Sequence, residues 1–401
     1  SHKNHGLMEE RNVRIAEDFS ALGSNTAEGA PSARAVVTGG VSYMHAREFL
    51  KDHPEVRLIR VATPFPFPEA FLLEALQGAE SVLCLEELSP YLEEQLLQLA
   101  GKHGLALKVY GKHTGHVPHM GENSADSVAT ILRRYLGITD SGTGASDREE
   151  IPPLPARPPV LCAGCPHRAS FYAVKKAMEG RKTYYCGDIG CYTLGNAMPL
   201  DMVDTCLCMG AGVTMAQGFA HLDREGSAFA FIGDSTFFAS GITGVINAVC
   251  NEADITVCIL DNSTTAMTGH QPHPGTGRNM MGHTFTPVSI RKILEGIGLS
   301  RIETVDPLDL EQSVRAVREC AQTPGVKAII FKSPCIAIER SDRRCVVTDA
   351  CVGCRKCILE TGCPALTDTD GRVTIDASLC TGCTLCMQVC PMKAIGDDSN
   401  D

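Results

Sequence analysis

Eight cysteines near the end of the 401-residue chain form two runs with the same internal spacing. Each run is C-x2-C-x2-C followed by a cysteine-proline pair, which is typical of two [4Fe–4S] clusters and not of zinc. Each triplet supplies three thiolates to one cluster, and the cysteine-proline of the other run supplies the fourth. The predicted ligands are Cys351, Cys354, Cys357 and Cys390 for the first cluster, and Cys380, Cys383, Cys386 and Cys363 for the second. We therefore expect the chain to carry electrons one at a time.

The first run departs from the usual spacing. Five residues separate Cys357 from Cys363, where the usual run has fewer. The longer loop is tolerable because Cys363 serves the other cluster. The assignment of Cys363 is consequently the least constrained of the eight.

Composition argues against several classes of function. The net charge is −11 and no stretch is rich in lysine and arginine, which argues against nucleic acid as a partner. The most apolar stretch, residues 228–249, contains Gly233, Asp234 and Ser235, so it is predicted as strand, turn and helix and not as a membrane span. Twenty cysteines without a visible signal peptide indicate a reducing, anaerobic cytoplasm.

A second candidate site follows two apolar strands. The first ends at Gly233-Asp234-Ser235 and the second at Asp261-Asn262. Asp234 and Asn262 supply hard oxygen ligands that would complete an Mg²⁺ site with a backbone carbonyl and two diphosphate oxygens. The glycine lets the backbone approach a diphosphate, and the following helix N-terminus faces the anion. The alternative is two buried strands with a capping aspartate.

Strands and helices alternate on both sides of a Gly/Ser- and Pro-rich segment, which predicts two parallel-sheet α/β domains. The predicted organisation is a connector at 1–32, an α/β domain at 33–137, a linker at 138–159, a second α/β domain at 160–338, and a two-cluster ferredoxin-like domain at 343–397. Glu86 and Glu87 lie between a predicted strand and helix, where the structural reading is a strand end and helix cap.

Several motifs in order carry a family resemblance. The segments 162–168, 186–195 and 266–271 accompany a thiamine-diphosphate signature in which Ser235 replaces the last glycine and Asp261 the first asparagine. Together they resemble the large subunits of indolepyruvate:ferredoxin oxidoreductases, within the 2-oxoacid:ferredoxin oxidoreductase superfamily. The resemblance covers essentially the whole chain. Segments 39–43 and 86–90 are similar to that family's transketolase-C-like domain.

The resemblance implies roles for matched positions. Asp234 and Asn262 would hold Mg²⁺ by their side chains and Thr264 by its carbonyl. The implied thiamine-diphosphate contacts are Gly190, Cys191, Gly233, Asp234, Ser235, Asn262, Thr264, Thr268 and Gly269. Related pyruvate enzymes carry another cluster beside thiamine, and the matching cysteines here are Cys162, Cys165, Cys191 and Cys335. Cys186 is a rival ligand, and a domain without that third cluster is the alternative.

The implied activity is oxidative decarboxylation of an aryl 2-oxoacid to its acyl-CoA, with electrons passing to ferredoxin. The family also implies a small beta subunit as partner. Its activating glutamate belongs to a preceding domain that this chain is expected to lack, so we expect a fragment or one chain of a split enzyme, with its own catalytic residues unknown. Two alternatives stay open: an electron-transfer subunit without thiamine chemistry, and an enzyme for pyruvate or another 2-oxoacid.

Overall fold

The computed structural model describes residues 2–138, 154 and 157–397. Contacts divide the chain into two compact units, Ser1–Leu154 and Pro155–Asp401. Most of the predicted linker, residues 139–153 and 155–156, lies outside the described residues. None of the helices in the described ranges is long and apolar enough to span a membrane.

The first unit is built on a five-stranded sheet in the order β1-β3-β2-β4-β5, parallel except at β1. The strands are β1 Thr26–Glu28, β2 Arg34–Thr38, β3 Arg57–Arg60, β4 Ser81–Leu85 and β5 Lys108–Tyr110. The helices are α1 His2–Ala21, α2 Gly40–Leu50, α3 Glu69–Ala75, α4 Tyr91–His103 and α5 Ala125–Leu136. Glu86 accepts hydrogen bonds from the backbone N–H groups of Leu92 (2.8 Å) and Glu93 (2.9 Å), so it caps α4 as its structural reading predicted.

The prediction of a connector at 1–32 needs correction. Residues 2–21 form helix α1, and β1 pairs antiparallel with β3, which gives that edge of the sheet a fifth strand. The helix buries none of its residues, so it lacks the apolar stripe by which sequence reveals a packed helix. Strand β1 is three residues long and half-buried throughout, too short to show an alternating pattern.

The second unit begins with a six-stranded, fully parallel sheet in the order β10-β11-β9-β8-β6-β7. Its strands are β6 Thr183–Asp188, β7 Thr205–Leu207, β8 Ser227–Gly233, β9 Ile255–Asp261, β10 Arg301–Val305 and β11 Lys327–Lys332. The helices are α6 Pro166–Ala177, α7 Ala211–Leu222, α8 Asp234–Thr236, α9 Ile242–Cys250, α10 Ile290–Ile297 and α11 Leu310–Gln322. The predicted α/β class is confirmed.

The central strands β8, β9 and β11 are buried on both faces of this sheet. Phe229 and Phe231 pack into one apolar core, while Ala230 and Ile232, one residue on, pack into the other. Successive side chains point to opposite faces of a strand, so each face needs its own helical cover. The near-continuous apolar runs in the sequence follow from this double burial.

The remaining residues of the second unit form a small repeated structure. Strands β12 Cys345–Val347 and β15 Ile395–Asp397 pair antiparallel, as do β13 Leu366–Thr369 and β14 Arg372–Ile375. Short helices α12 Lys356–Thr361 and α13 Leu385–Val389 start at equivalent positions of the two cysteine triplets. Each follows a residue with positive φ, Arg355 at 57° and Thr384 at 61°. The internal repeat of the sequence is therefore a repeat of backbone geometry.

Candidate functional site

A cavity of about 150 Å³ lies at the carboxyl edge of the six-stranded sheet. The connections from β6 and β8 run in opposite directions there, and parallel sheets bind ligands at such a switch point. The cavity is lined by His167, Ile189, Gly190, Cys191, Tyr192, Met209, Gly233, Asp234, Ser235, Thr236, Leu260, Asn262, Thr264, Thr265, Ala266, Met267 and Thr268. All predicted thiamine-diphosphate contacts are among them except Gly269.

Asp234 is the buried acid at the end of β8. Its Oδ1 accepts from the backbone N–H of Ser235 at 2.7 Å, and its Oδ2 from that of Ser263 at 2.8 Å. His273 Nε2 lies 3.0 Å from the same Oδ2, and both side chains are almost fully buried. These three partners fix the carboxylate in one orientation. The pairing with His273 was not predicted, because His273 comes from a loop 39 residues away in sequence.

Asn262 is held on the neighbouring strand. Its Oδ1 accepts from the backbone N–H of Thr264 at 3.3 Å, and its Nδ2 lies 3.3 Å from His167 Nε2. Burial lowers the pKa of His167 to about 4, although the nearby Asp234 charge opposes the shift. A neutral imidazole therefore faces Asn262 near pH 7.

A buried Asp188–Tyr192 pair lies at the cavity, whose lining includes Tyr192. The Tyr192 hydroxyl donates to Asp188 Oδ1 and lies 3.2 Å from Thr236 Oγ1, while Asp188 Oδ2 accepts from the Gly210 backbone N–H at 2.7 Å. Burial raises the pKa of both Asp188 and Tyr192, and the Asp188 charge raises that of Tyr192 further. The sequence prediction did not include this pair. The available signal was the position of Asp188 at the end of strand β6, which resembles the position of Asp234 directly after β8.

The Tyr192 ring explains two cavity glycines. A Cβ at Gly190 would meet the ring at 2.4 Å, and one at Gly233 would meet it at 2.8 Å. Both distances are below van der Waals contact, and the ring is buried and anchored by its hydroxyl. The glycines thus let two backbone segments close on one aromatic ring.

We expect Gly190→Ala to lower the free energy of unfolding by about 1–3 kcal/mol, because the added methyl overpacks a fixed ring. The matched control is Gly296→Ala in α10, where a Cβ would meet nothing within 4 Å. That control should be neutral or stabilising, since alanine favours a helix. Urea unfolding of both variants measures the difference. Equal midpoints would show that Tyr192 moves aside freely.

These residues fit a diphosphate cofactor with a divalent cation. Asp234 and Asn262 present the oxygen donors that Mg²⁺ prefers, and Thr264 lines the same cavity. The tight glycine contacts at 190 and 233 leave backbone exposed toward the cavity.

A second cavity collects the cysteines predicted for the second cluster. Cys363, Cys380, Cys383 and Cys386 all line it, so the crossed assignment of Cys363 is sterically consistent. Cys345 and Cys165 also line this cavity. The backbone N–H of Cys345 donates to Cys380 Sγ at 3.4 Å. Cys345 was missed because it lies outside both triplets, and no spacing rule indicates it.

The first predicted cluster set is also grouped. Cys354 and Cys390 interact electrostatically with Cys357, and Cys351 packs in the same small apolar core as Cys357 and Cys390. In the part of the chain that the structure describes, no three His, Cys, Asp or Glu side chains converge tightly enough to hold a single metal ion. A cluster binds its cysteines through several irons, so its ligands need not meet at one point.

Two cysteines of the predicted third set line different cavities, Cys191 the first and Cys165 the second. Cys191 interacts electrostatically with Cys335 and Cys162. Cys165 also interacts with Cys162 but lines the second cavity, and burial raises its pKa to about 12. The rival ligand Cys186 is buried in the apolar core against α7, which favours a structural role for it.

Comparison with known families agrees with this geometry. Residues 188–331 match the family described as thiamine pyrophosphate enzyme, C-terminal TPP binding domain. Residues 373–396 match the 4Fe-4S binding domain family. The fold and site therefore define a thiamine-diphosphate-enzyme domain joined to an iron–sulfur, ferredoxin-like domain, as predicted.

Relatives of known name extend over almost the whole chain. Indolepyruvate oxidoreductase subunit IorA of Methanothermobacter marburgensis is 38% identical over 394 residues, covering 96% of this chain and 63% of the relative. The same subunit of Archaeoglobus fulgidus is 37% identical over 402 residues, covering 97% and 64%. The 2-oxoglutarate synthase subunit KorB of Archaeoglobus fulgidus is 27% identical over 194 residues, covering 46% and 72%.

The chain is thus similar over nearly its whole length to indolepyruvate oxidoreductase subunit IorA, and the predicted resemblance is confirmed. It spans less than two thirds of the length of these IorA relatives. A solved 2-oxoglutarate:ferredoxin oxidoreductase from Magnetococcus marinus is far more distant, with 17% identity, 45% of this chain and 66% of that chain covered, and a TM-score of 0.39.

Proposed function

We propose that this chain takes part in the oxidative decarboxylation of an aryl 2-oxoacid of the indolepyruvate type to its acyl-CoA, with electrons leaving through [4Fe–4S] clusters to a ferredoxin. One observation carries the proposal. The cavity with the thiamine-enzyme features and the cavity lined by cluster cysteines lie in one compact unit. Adjacent residues of α6, His167 and Arg168, line the two cavities respectively.

Different residues of the cavity would bind the metal ion and the diphosphate. Asp234 and Asn262 would hold Mg²⁺ through their side chains, and Thr264 through its carbonyl. The backbone around the cavity would hold the diphosphate, with contacts from Gly190, Cys191, Gly233, Ser235, Thr268 and Gly269. When bound, thiamine diphosphate supplies the electron sink for decarboxylation, and the clusters supply one-electron acceptors.

Other residues would orient and shield the reacting groups. The Asp188–Tyr192 pair fixes the two glycine segments, and neutral His167 fixes the amide of Asn262. Ile189, Met209 and Met267 line the cavity and are 45%, 44% and 51% exposed. This apolar surface favours a substrate with an aryl group over one with a small charged side chain.

Partners follow from the relatives, whose names describe them as subunits. We propose a small beta subunit as the second chain, with coenzyme A as the acyl acceptor and ferredoxin as the electron acceptor. The third cluster at Cys162, Cys165, Cys191 and Cys335 is proposed on the electrostatic contacts among the first three and Cys335.

The test is anaerobic reconstitution with iron, sulfide, Mg²⁺ and thiamine diphosphate, with and without the beta subunit. Indolepyruvate plus coenzyme A should bleach the cluster absorbance when the beta subunit and a domain with the activating glutamate are both supplied, and pyruvate should do so more slowly. Fully loaded clusters with no thiamine diphosphate retained, even in excess Mg²⁺, would instead indicate an electron-transfer subunit. Equal rates with pyruvate would overturn the choice of substrate and keep the class of reaction.

A further inference from the structure

Arg168 is a buried cation whose hydrogen-bond acceptors, in the part of the chain that the structure describes, are backbone carbonyls. Its residue is 4% exposed, and its Nη1 donates to the Thr361 carbonyl at 2.6 Å. Its Nη2 donates to the Leu161 carbonyl and lies 3.4 Å from that of Cys162, while its Nε has no hydrogen-bond partner. Its hydrogen-bond acceptors among the described residues are therefore backbone carbonyls and not Asp or Glu side chains. Carbonyl dipoles alone leave the positive charge uncompensated.

The strongest charge interactions of Arg168 are with cysteine thiols. Cys363 and Cys383 belong to the predicted second cluster, and Cys165 and Cys162 to the loop before α6. The guanidinium itself lines the cavity of the second cluster set. Cysteine thiolates give a [4Fe–4S] centre net negative charge, and reduction makes that charge larger. The bound cluster is thus the anion that this cation lacks in the protein.

The position of Arg168 is fixed by close packing around it. A Cβ at Gly164, whose φ is +72°, would meet Thr381 Oγ1 at 1.8 Å. A Cβ at Gly362, whose φ is +59°, would meet Pro199 Cδ at 2.3 Å. Thr361, the Nη1 acceptor, is the last residue of α12 and precedes Cys363 by two residues. The first turn of α6, which carries Arg168, and the loop before it therefore cannot move away from the cluster loops without breaking these contacts.

We infer that Arg168 is the counter-charge of the cluster held by Cys363, Cys380, Cys383 and Cys386, and that it raises the reduction potential of that cluster. A buried positive charge stabilises the more negative, reduced form, and the low-dielectric surroundings strengthen the effect. The inference deepens the proposed function by making this cluster the preferred acceptor of electrons from the neighbouring cavity. The potential itself requires only assembled clusters, so it is measurable whether or not the chain turns over a 2-oxoacid.

The experiment is an anaerobic redox titration followed by electron paramagnetic resonance on the reconstituted chain. Arg168→Met and Arg168→Gln remove the charge, and Gln keeps hydrogen-bond donors. One reduction step should become at least tenfold less reduced at a fixed potential, which is ~59 mV for one electron. The reduction step assigned to the cluster of Cys351, Cys354, Cys357 and Cys390 should move much less.

The matched control is Arg355→Met. Arg355 directly follows cluster ligand Cys354 in sequence, but its side chain is 57% exposed and paired with Asp368 at 3.0 Å. Solvent screens its charge, so its removal should leave every reduction step nearly unchanged. Unchanged steps in a fully iron-loaded Arg168→Met or Arg168→Gln would overturn the inference. If neither variant assembles its clusters, Arg168→Lys is titrated instead. Lysine keeps the positive charge, so a tenfold loss of the reduced cluster at the same potential in that variant would also overturn the inference.

Discussion

Replacing Asp234 by alanine is expected to abolish Mg²⁺-dependent binding of thiamine diphosphate. The carboxylate is held by Ser235, Ser263 and His273 in one orientation at the end of β8, where its oxygens face the cavity. Removing a partner outside the ligand shell typically costs 10–100-fold in affinity, so loss of a direct ligand should exceed about 100-fold. Isothermal titration with thiamine diphosphate at fixed Mg²⁺ measures the change.

A variant of His273 distinguishes the role of the proposed ligand, Asp234, from that of the residue that holds it in place. His273→Asn removes the buried imidazole that contacts Asp234 Oδ2, and it should weaken binding by about 10–100-fold without abolishing it. Iron content serves as the folding control, because the cysteine cavity shares no lining residue with this one. Wild-type affinity in Asp234→Ala would show that the cation is bound elsewhere.

The strands that position Asp234 and Asn262 could be predicted because a strand that is buried on both faces has a continuous run of apolar residues. Their ends meet at one sheet edge in any parallel arrangement, which brings the two side chains into one cavity without further information. The contact with His273 could not be predicted in this way. It depends on the path of an irregular loop, and no periodicity encodes that path.

The same distinction applies to the cysteines. The grouping of each cysteine triplet could be predicted from its spacing, because three thiolates within seven residues can reach one cluster by local geometry. Cys345 joins the second cavity only because β12 pairs with β15, which brings residues fifty apart together. Likewise, helix α1 buries none of its residues, so its sequence has no apolar stripe from which the helix could be predicted.

Replacing Cys380 and Cys345 together by serine is expected to remove one whole cluster, or about four irons per chain. Cys380 lines the second cavity with three other predicted ligands, and a serine oxygen is a poor substitute for a thiolate. Because Cys345 lies in the same cavity, the double variant Cys345→Ser, Cys380→Ser is needed to prevent one thiol from replacing the other. Cys320→Ser, a buried cysteine of α11, is the control and should keep all iron.

Cys191→Ser extends the same measurement to the third set. Cys191 contacts Cys335 and Cys162 electrostatically, away from the eight C-terminal ligands. About twelve irons in the parent chain and about eight in this variant would establish a third cluster, whereas about eight in both would limit the chain to two. Iron and acid-labile sulfide per chain are measured together after anaerobic reconstitution. Full iron retention in the double variant Cys345→Ser, Cys380→Ser would contradict the assignment of Cys380, because the second cluster would then be held without it.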